Sequence, residues 1–535
     1  MLALMPALCV ALAATVPAAP ARAQAADILL EVKRFEIVGE NPIAGAATDA
    51  ALAPHLGVHK SLGTLEAAAA ALEARLRDAG YSFHRVIVPA QKPAGGVVRL
   101  EILRFPLAQV TVTGNSHFSA ANIARSLPSL AAGGTPDVRA ISRDLGLAND
   151  HPSKRVSIVL KESAKADALD AEIRVRDSVP LQPFISISSH TGDRYDVINK
   201  GTGYTRLTFG VQHANLFDLD HVLTGSYTTS LEQPEKVKQY GLFYWLPFYG
   251  GGTSLQAYYT RSDVDTGAIG LGTTSFNVSG RGEFVGARLT HALPKWGEIT
   301  HNLAMAVDDK YFESNVGLAG VALPLTPARS RPLSLRYTAR YDQLWGGIGA
   351  YGEFATNLAG GSANTEVAYA AVRGGAPVRW SAFRYGIDAS YALGTWNLGA
   401  RLRGQHTDHL MIPGEQFGIG GTTTVRGLRE REFTGDNGHT LTLEASGPPL
   451  SGTLRPVVFF DHGYARLLGN TVVAGNNVSY DTASSVGVGA RWNHGRTIDL
   501  TADFAYVANG IGSTGTVVGT RRGDTKLMFT VFFRF

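Results

Sequence analysis

The sequence predicts a membrane β-barrel of about 16 antiparallel strands preceded by two α+β domains. Three observations carry this. From residue 183 onward, segments of about ten residues alternate small or apolar with polar side chains, and the helical period disappears. The connections between those segments alternate between short and long. The final segment places Leu527, Phe529, Val531, Phe533 and Phe535 on one face, with Lys526, Thr530 and Arg534 among the opposite set.

Composition narrows the classes. The 535 residues hold 44% hydrophobic, 18% charged and 9% aromatic side chains with 61 glycines, too few charges for a disordered chain. Past residue 24 no run of about 18 apolar residues exists, so no transmembrane helix is available. Lys+Arg 49 against Asp+Glu 45 gives +4 without a basic stripe, so no nucleic acid is expected as partner. Residues 1–23 are expected to be a secretory signal: Leu2 to Val16 is apolar and Ala21-Arg22-Ala23 is a small-x-small cleavage site. Its leading segment lacks Lys and Arg, so either the signal is weak or the true start lies upstream. Cleavage would remove Cys9, the one cysteine, and with it any disulfide or thiolate chemistry.

Residues 28–178 carry an internal repeat, read as one domain over 28–105 and a second over 106–178. Phe35-Glu-Ile-Val-Gly39-Glu-Asn matches Val110-Thr-Val-Thr-Gly114-Asn-Ser, each a short strand ending in a glycine turn. Leu65, Ala69, Leu72 and Leu76 then form one helical stripe, with Glu66 expected in the first turn and Gly80 at the stop. In the second copy Ile123 and Leu127 mark one helix, and Val138, Ile141, Leu145 and Ala148 another. Strands over 82–88 and 97–103, then 156–161 and 168–175, close the copies. Each copy is therefore expected to be a three-stranded sheet covered by two helices.

The barrel is expected over 183–535, with strands at 183–189, 204–212, 221–229, 239–246, 254–261, 283–292, 300–308, 333–341, 349–357, 383–393, 396–405, 440–446, 455–464, 485–493, 497–506 and 525–535. Turns of a few residues alternate with long segments such as 310–331, 359–382 and 406–439. Barrels in the bacterial outer membrane show this alternation, with tight turns on one side and extended loops on the other. A closed sheet has no edge, so every backbone group is paired in lipid and a monomer is the expected state.

Three stretches add a resemblance. Gly203-Tyr-Thr-Arg-Leu-Thr-Phe-Gly210 with Asn215-Leu-Phe-Asp-Leu-Asp220, Gly420-Gly-Thr-Thr-Thr-Val425-Arg426-Gly427-Leu428, and Phe459-Phe-Asp461-His-Gly463 resemble motifs of the two-partner secretion transporters (TpsB, the haemolysin secretion/activation family). Their plan is two POTRA domains (polypeptide-transport-associated) before a 16-stranded barrel. The resemblance implies an outer-membrane pore that exports a large TpsA-like exoprotein, with POTRA domains in the periplasm binding the unfolded client. It implies that the sixth surface loop (406–439) folds into the lumen, where Val425, Arg426, Gly427 and Leu428 form its tip. Arg426 is then expected to pair with Asp461, with Glu444 completing the network and Phe459 and Gly463 flanking it. Leu428 departs from the family's usual Tyr or Phe. Phe529, Phe533 and Phe535 resemble the signal read by barrel-assembly machinery. Val86, Val88 and 155–158 are candidate client-binding edge positions. The family's N-terminal plug helix has no counterpart in residues 24–27, so either loops close the pore or the chain starts upstream.

An assembly factor of the same superfamily, inserting client barrels, is the alternative; it normally carries more POTRA copies. No G-x-S-x-G elbow, phosphate-binding loop or H-E-x-x-H is present, so no enzyme, cofactor or metal site is expected. His55 and His59 are spaced i, i+4 and are expected to be solvated or capping.

Overall fold

A computed structural model of the chain describes residues 29–190, 203–263, 267–271, 274–278, 281–313, 317–318, 321–322, 327–469, 472–473, 476–477, 479–512 and 519–535. The expected signal sequence, Cys9 and residues 24–27 lie outside the described residues. Contacts divide the chain into two compact units: one reaching Pro106 with Thr135–Asp137, the other comprising Leu107–Gly134 and Val138–Phe535.

In the first unit, β1 (Leu30–Val32) pairs with β3 (Gly57–His59), and the main sheet joins β2 (Arg34–Val38), β4 (His84–Ile87) and β5 (Val97–Arg104) in the order β2-β5-β4. Strands β2 and β5 are parallel, because two helices, α1 (Gly45–Leu52) and α2 (Leu62–Asp78), intervene in the crossover. Leu72, Leu76, Val86, Leu100 and Ile102 form the core beneath them. Helix α2 begins right after the extended Ser61, so Glu66 falls in the second turn and the first turn holds no acid. Gly80 does terminate it, at φ +105°.

The second α+β domain repeats the plan with β6 (Leu107–Thr113), α3 (Ala120–Ser126), α4 (Val138–Asn149), β7 (Lys154–Glu162) and β8 (Leu169–Asp177), in sheet order β6-β8-β7. The repeated glycine has the same cause in both copies. A Cβ on Gly39 (φ +94°) would lie 2.6 Å from the Ile102 carbonyl oxygen, and one on Gly114 (φ +79°) 2.5 Å from that of Val175. The first strand thus turns away tightly against the central one, at a backbone angle that only glycine tolerates without strain.

Sixteen antiparallel strands then close into a barrel. They are β9 (Leu181–His190), β10 (Thr205–Leu216), β11 (His221–Ser230), β12 (Gln239–Phe248), β13 (Thr253–Ser262), β14 (Gly282–Ala292), β15 (Ile299–Phe312) and β16 (Pro332–Gln343). The other eight are β17 (Gly346–Asn357), β18 (Ser381–Leu393), β19 (Trp396–His406), β20 (Asn437–Ser446), β21 (Arg455–Arg466), β22 (Tyr480–His494), β23 (Ile498–Asn509) and β24 (Thr525–Arg534). The last strand pairs with the first from Met528↔His190 to Arg534↔Phe184. Hydrophobicity is inverted relative to a water-soluble fold. Val285, Met305, Leu335, Phe354 and Val488 face outward, while Thr208, Gln239, Glu353 and Asp461 are buried inside. Only lipid makes that arrangement favourable. Trp296, Trp345 and Trp396 sit at the short turns, where an aromatic belt meets the headgroups. On β24, Leu527 and Phe529 are exposed, Phe533 is half-buried, and Lys526 and Met528 point in; Phe535, just past its end, is exposed.

A helix inside the long segment after β17 departs from the all-strand expectation. Helix α5 (Glu366–Val372) is capped by Thr365, whose side chain accepts from the Ala368 amide. It plants Tyr369 and, beyond its end, Trp380 in a fully buried cluster with Met411 and Ile412. Seven residues are too few to show a helical stripe in sequence.

At the closing seam the Phe184 ring stacks on Phe532 at 5.3 Å and lies over Gly210, where a Cβ would sit 2.0 Å from its Cζ. Phe184→Ala should remove about 3 kcal/mol or more from this seam. The folded band in unheated gels should then be lost at a lower temperature, whereas Phe209→Ala on the lipid face should change little.

Candidate functional site: a loop docked inside the barrel

The segment 407–436 joins β19 to β20 and folds into the barrel. Its two arms pair as a small hairpin, Phe417–Ile419 with Phe433–Gly435. Gly420 (φ +109°) and Gly421 (φ +101°) turn the chain at the hairpin's end. The Glu430 carboxylate then closes the tip by accepting from the Thr422 amide at 3.0 Å. Val425 and Leu428 insert into an apolar cluster of Ile419, Ala465, Ala483, Val507 and Ile511. Leu428 is fully covered by these aliphatic neighbours.

Between those two apolar anchors Arg426 turns to the wall. Its Nε donates to Asp461 Oδ2 at 2.8 Å, its Nη2 to Asp461 Oδ1 at 3.0 Å, and its backbone amide to Oδ2 at 3.1 Å. Nη1 donates to Glu444 Oε2 at 3.2 Å and lies 3.5 Å from Asp503 Oδ2. The guanidinium plane covers the Phe459 ring, with Cζ 3.4 Å from its centroid. Arg426 is 5% exposed and Asp461 0%. A bidentate pair with a third amide donor satisfies Asp461 in a geometry that lysine could not reproduce. Arg491 on β22 bridges the remaining carboxylates, at 3.3 Å from Glu444 and 2.7 Å from Asp503. Gly463 leaves room for the tip: a Cβ there would lie 2.9 Å from Val425 Cγ2 and 3.0 Å from Ile419 Cγ2. Gly427, at φ +96°, passes equally close to Val507.

The structure therefore brings Val425, Arg426, Gly427, Leu428, Glu444, Phe459, Asp461 and Gly463 together, and leaves Phe529, Phe533 and Phe535 on the closing strand apart from them. Asp503 and Arg491 were not singled out from sequence. Their one signal is parity, since Asp503 shares the inward face of β23 with the buried Ala505 and Val507. Three further carboxylates pin the loop. Glu415 sits between Lys310 (3.1 Å) and Arg384 (2.8 Å) on the wall. Glu432 accepts from the Thr520 amide at 2.6 Å, and Asp436 accepts from Arg373 and from the amides of Met411 and Leu468, both at 2.7 Å. His59 is a capping residue, its ring bonded to Thr64 Oγ1 at 2.9 Å and the His55 carbonyl at 2.7 Å. Among the described residues no cluster could hold a metal ion.

The motif 215–220 forms the turn between β10 and β11, and the second α+β domain grips it. Phe217, Asp218 and Asp220 all hold positive φ, at 60°, 56° and 63°. Such strain persists only where contacts over-determine it. Asn122 Nδ2 donates to Asp220 Oδ1 and to the Asp218 carbonyl, both at 2.9 Å, and Arg125 donates to that carbonyl at 2.7 Å. Tyr249 OH donates to Asp220 Oδ2 at 2.6 Å, and the buried Lys154 ammonium pairs with the same oxygen. Burial pulls the Lys154 ammonium below its ordinary range, while Asp220 pulls it back. Burial likewise holds His151, hydrogen-bonded to the Ala214 carbonyl, down at about 4.

Two outcomes follow. Gly463→Val should undock the tip by about 1–3 kcal/mol of overpacking, making 407–436 sensitive to protease in a barrel that still assembles. The His151 shift has a definite sign, because an unfolded histidine takes up a proton near pH 6.5 that the folded one refuses until about 4. Stability of the junction should therefore fall as pH drops through that window, by roughly 3 kcal/mol in all, and level off below it. Thermal melts of the wild type against His151→Gln at both ends of the window measure the difference.

The model for the haemolysin secretion/activation protein ShlB/FhaC/HecB matches residues 189–491, and a ShlB-type POTRA domain matches 30–104. No curated protein matches the sequence. Solved structures that share the fold include two proteins called CdiB. CdiB from Escherichia coli is 16% identical with a TM-score of 0.75, over 97% of this chain and 93% of that one. CdiB from Acinetobacter baumannii is 15% identical with a TM-score of 0.68, over 95% and 90%. The match to a secretion family does not favour the assembly-factor alternative. With more than half of the chain covered by that one model, this protein belongs to the haemolysin secretion/activation (ShlB/FhaC/HecB) family of two-partner secretion transporters in the outer membrane.

Proposed function

We propose that the chain captures one large TpsA-like exoprotein as an extended polypeptide on its periplasmic POTRA domains and passes it through the barrel, with segment 407–436 as the gate. The observation that carries this is the Arg426–Asp461 clamp. A buried bidentate ion pair contributes little net stability but specifies one orientation strongly, which suits an element that must dock and be released. The outer strands of the POTRA sheets are where strand addition would capture the client. Val86 is a weak candidate for that edge, because its amide already donates to Glu73 at 3.1 Å. The β7 strand, which contains 155–158, is the second domain's outer strand beside β8, but its Val156 amide already donates to Asn149 Oδ1 at 2.7 Å and its carbonyl accepts from Asn149 Nδ2 at 2.9 Å, so a client strand would have to add beyond that residue. With no ATP in the periplasm, folding of the client outside the cell supplies the drive. Phe529, Phe533 and Phe535 would present the closing strand to the assembly machinery, and the finished barrel acts as a monomer in outer-membrane lipid.

Charge reversal tests the gate. Arg426→Glu or Asp461→Arg alone, each breaking a buried pair at a loss of about 3–5 kcal/mol, should abolish secretion while the barrel still reaches the outer membrane. The double swap should restore secretion. Full secretion by Arg426→Ala would remove the clamp from the mechanism.

A further inference from the structure

The docked loop does not fill the barrel. A cavity of about 1250 Å³ remains between the loop arm around Gly414–Gly418 and the walls of β10 to β20. Its charged lining is uneven, with seven cationic side chains against the four carboxylates of Asp150, Asp308, Glu353 and Glu415. Six of the cations are Arg288, Arg336, Arg384, Arg401, Arg403 and Arg431.

The lumen wall is divided in charge. Strands β20 to β23 turn Glu444, Asp461, Asp481 and Asp503 inward with Arg491, and the basic tip of the loop lies on that arc. The opposite arc, β14 to β19, carries Arg288, Arg336, Arg384, Arg401 and Arg403 beside Asp308 and Glu353, and faces the open cavity. Several of those arginines have charge to spare. Arg288 has no carboxylate within 4.0 Å among the described residues, and Arg401 and Arg403 share the single carboxylate of Asp388; on the loop itself, Arg431 lines the same cavity and donates to the carbonyls of Pro413 and Gln416. The rings beneath keep the cations extended across the wall: Arg336 lies 4.5 Å and Arg403 5.6 Å from the centroid of Tyr351.

From this division we infer that the passage beside the docked loop is an anion path, in which the arginine arc takes the carboxylates of an extended polypeptide. Low-dielectric walls concentrate such a field, and rings of arginine select anions in other pores. The inference rests on the barrel being a conduit, and adds which chemistry the conduit prefers and along which wall.

The test uses the purified full chain in a planar bilayer under a KCl gradient. The reversal potential should show chloride permeating several-fold faster than potassium. Poly-L-glutamate should block at lower concentration than poly-L-lysine, and its block should weaken as salt rises from about 0.1 M to 1 M. Arg288→Gln with Arg401→Gln leaves Asp388 paired with Arg403, and should lower both the chloride preference and the poly-L-glutamate block several-fold. A silent or cation-preferring wild type, equal block by the two polymers, or an assembled double variant with unchanged selectivity would each overturn the inference. A chain that selects anions yet exports no exoprotein would overturn the transport proposal and leave this one standing.

Discussion

Lipid offers the backbone no hydrogen-bond partner, and that constraint organises most of this molecule. Every membrane-crossing strand between Leu181 and Arg534 must find neighbours on both sides, which only closure provides. Closure in turn reverses the usual placement of side chains. The large apolar residues face out, and the polar and charged ones are gathered into the interior, where the docked loop buries those of the clamp. Within that interior a guanidinium and a carboxylate interact more strongly than they would at a surface, and an unpaired one is more costly. The Arg426 clamp exists because the barrel supplies such a place.

The sequence made this architecture legible wherever a period or a repeated constraint was at work. Strand number and order followed from period-2 alternation and from loop lengths, and the Gly39 and Gly114 repeat reflected one tight backbone approach used twice. Arg426 and Asp461 were legible through the resemblance, not through spacing, since 35 residues separate them. Features that depend on three-dimensional proximity alone left no such trace. Asp503 and Arg491 are single inward positions on strands without a motif. The joint of Lys154, Asn122 and Asp220 draws on residues 32 to 98 positions apart. Helix α5 was too short to announce itself, and Glu66 was misplaced because α2 already starts at Leu62, a turn ahead of its first acid.

The joint and the clamp obey similar physics at different places. In each, a carboxylate buried to 1% or less receives several donors from another part of the chain: Asp220 from Lys154, Asn122 and Tyr249, and Asp461 from Arg426 alone. The difference matters. Asp220 spreads its partners over α3, β7 and the Tyr249 turn, so no one displacement frees it, and it can hold a turn of three positive-φ residues in place. Asp461 takes its side-chain donors from a single arginine, so its satisfaction is all or nothing.

That dependence, together with the divided wall, bears on how the loop rests. Lifting the tip would strip Asp461 of the only cation within ion-pairing reach among the described residues and leave Glu444 and Asp503 to Arg491. It would also expose Val425 and Leu428, which are buried among aliphatic neighbours. An unpaired buried carboxylate alone is worth several kcal/mol, and two buried aliphatic side chains add about 1.5–3 kcal/mol each. Docking is thus favoured by polar and apolar terms acting on adjacent residues of one short tip. Leu428 suits this pocket, because the surrounding Ala465, Ala483 and Val507 are themselves small or branched and close over it. Charge opposes any drift of the tip across the lumen, since the far arc is the arginine wall and repels Arg426. The loop is held on one side both by what attracts it there and by what it would meet elsewhere.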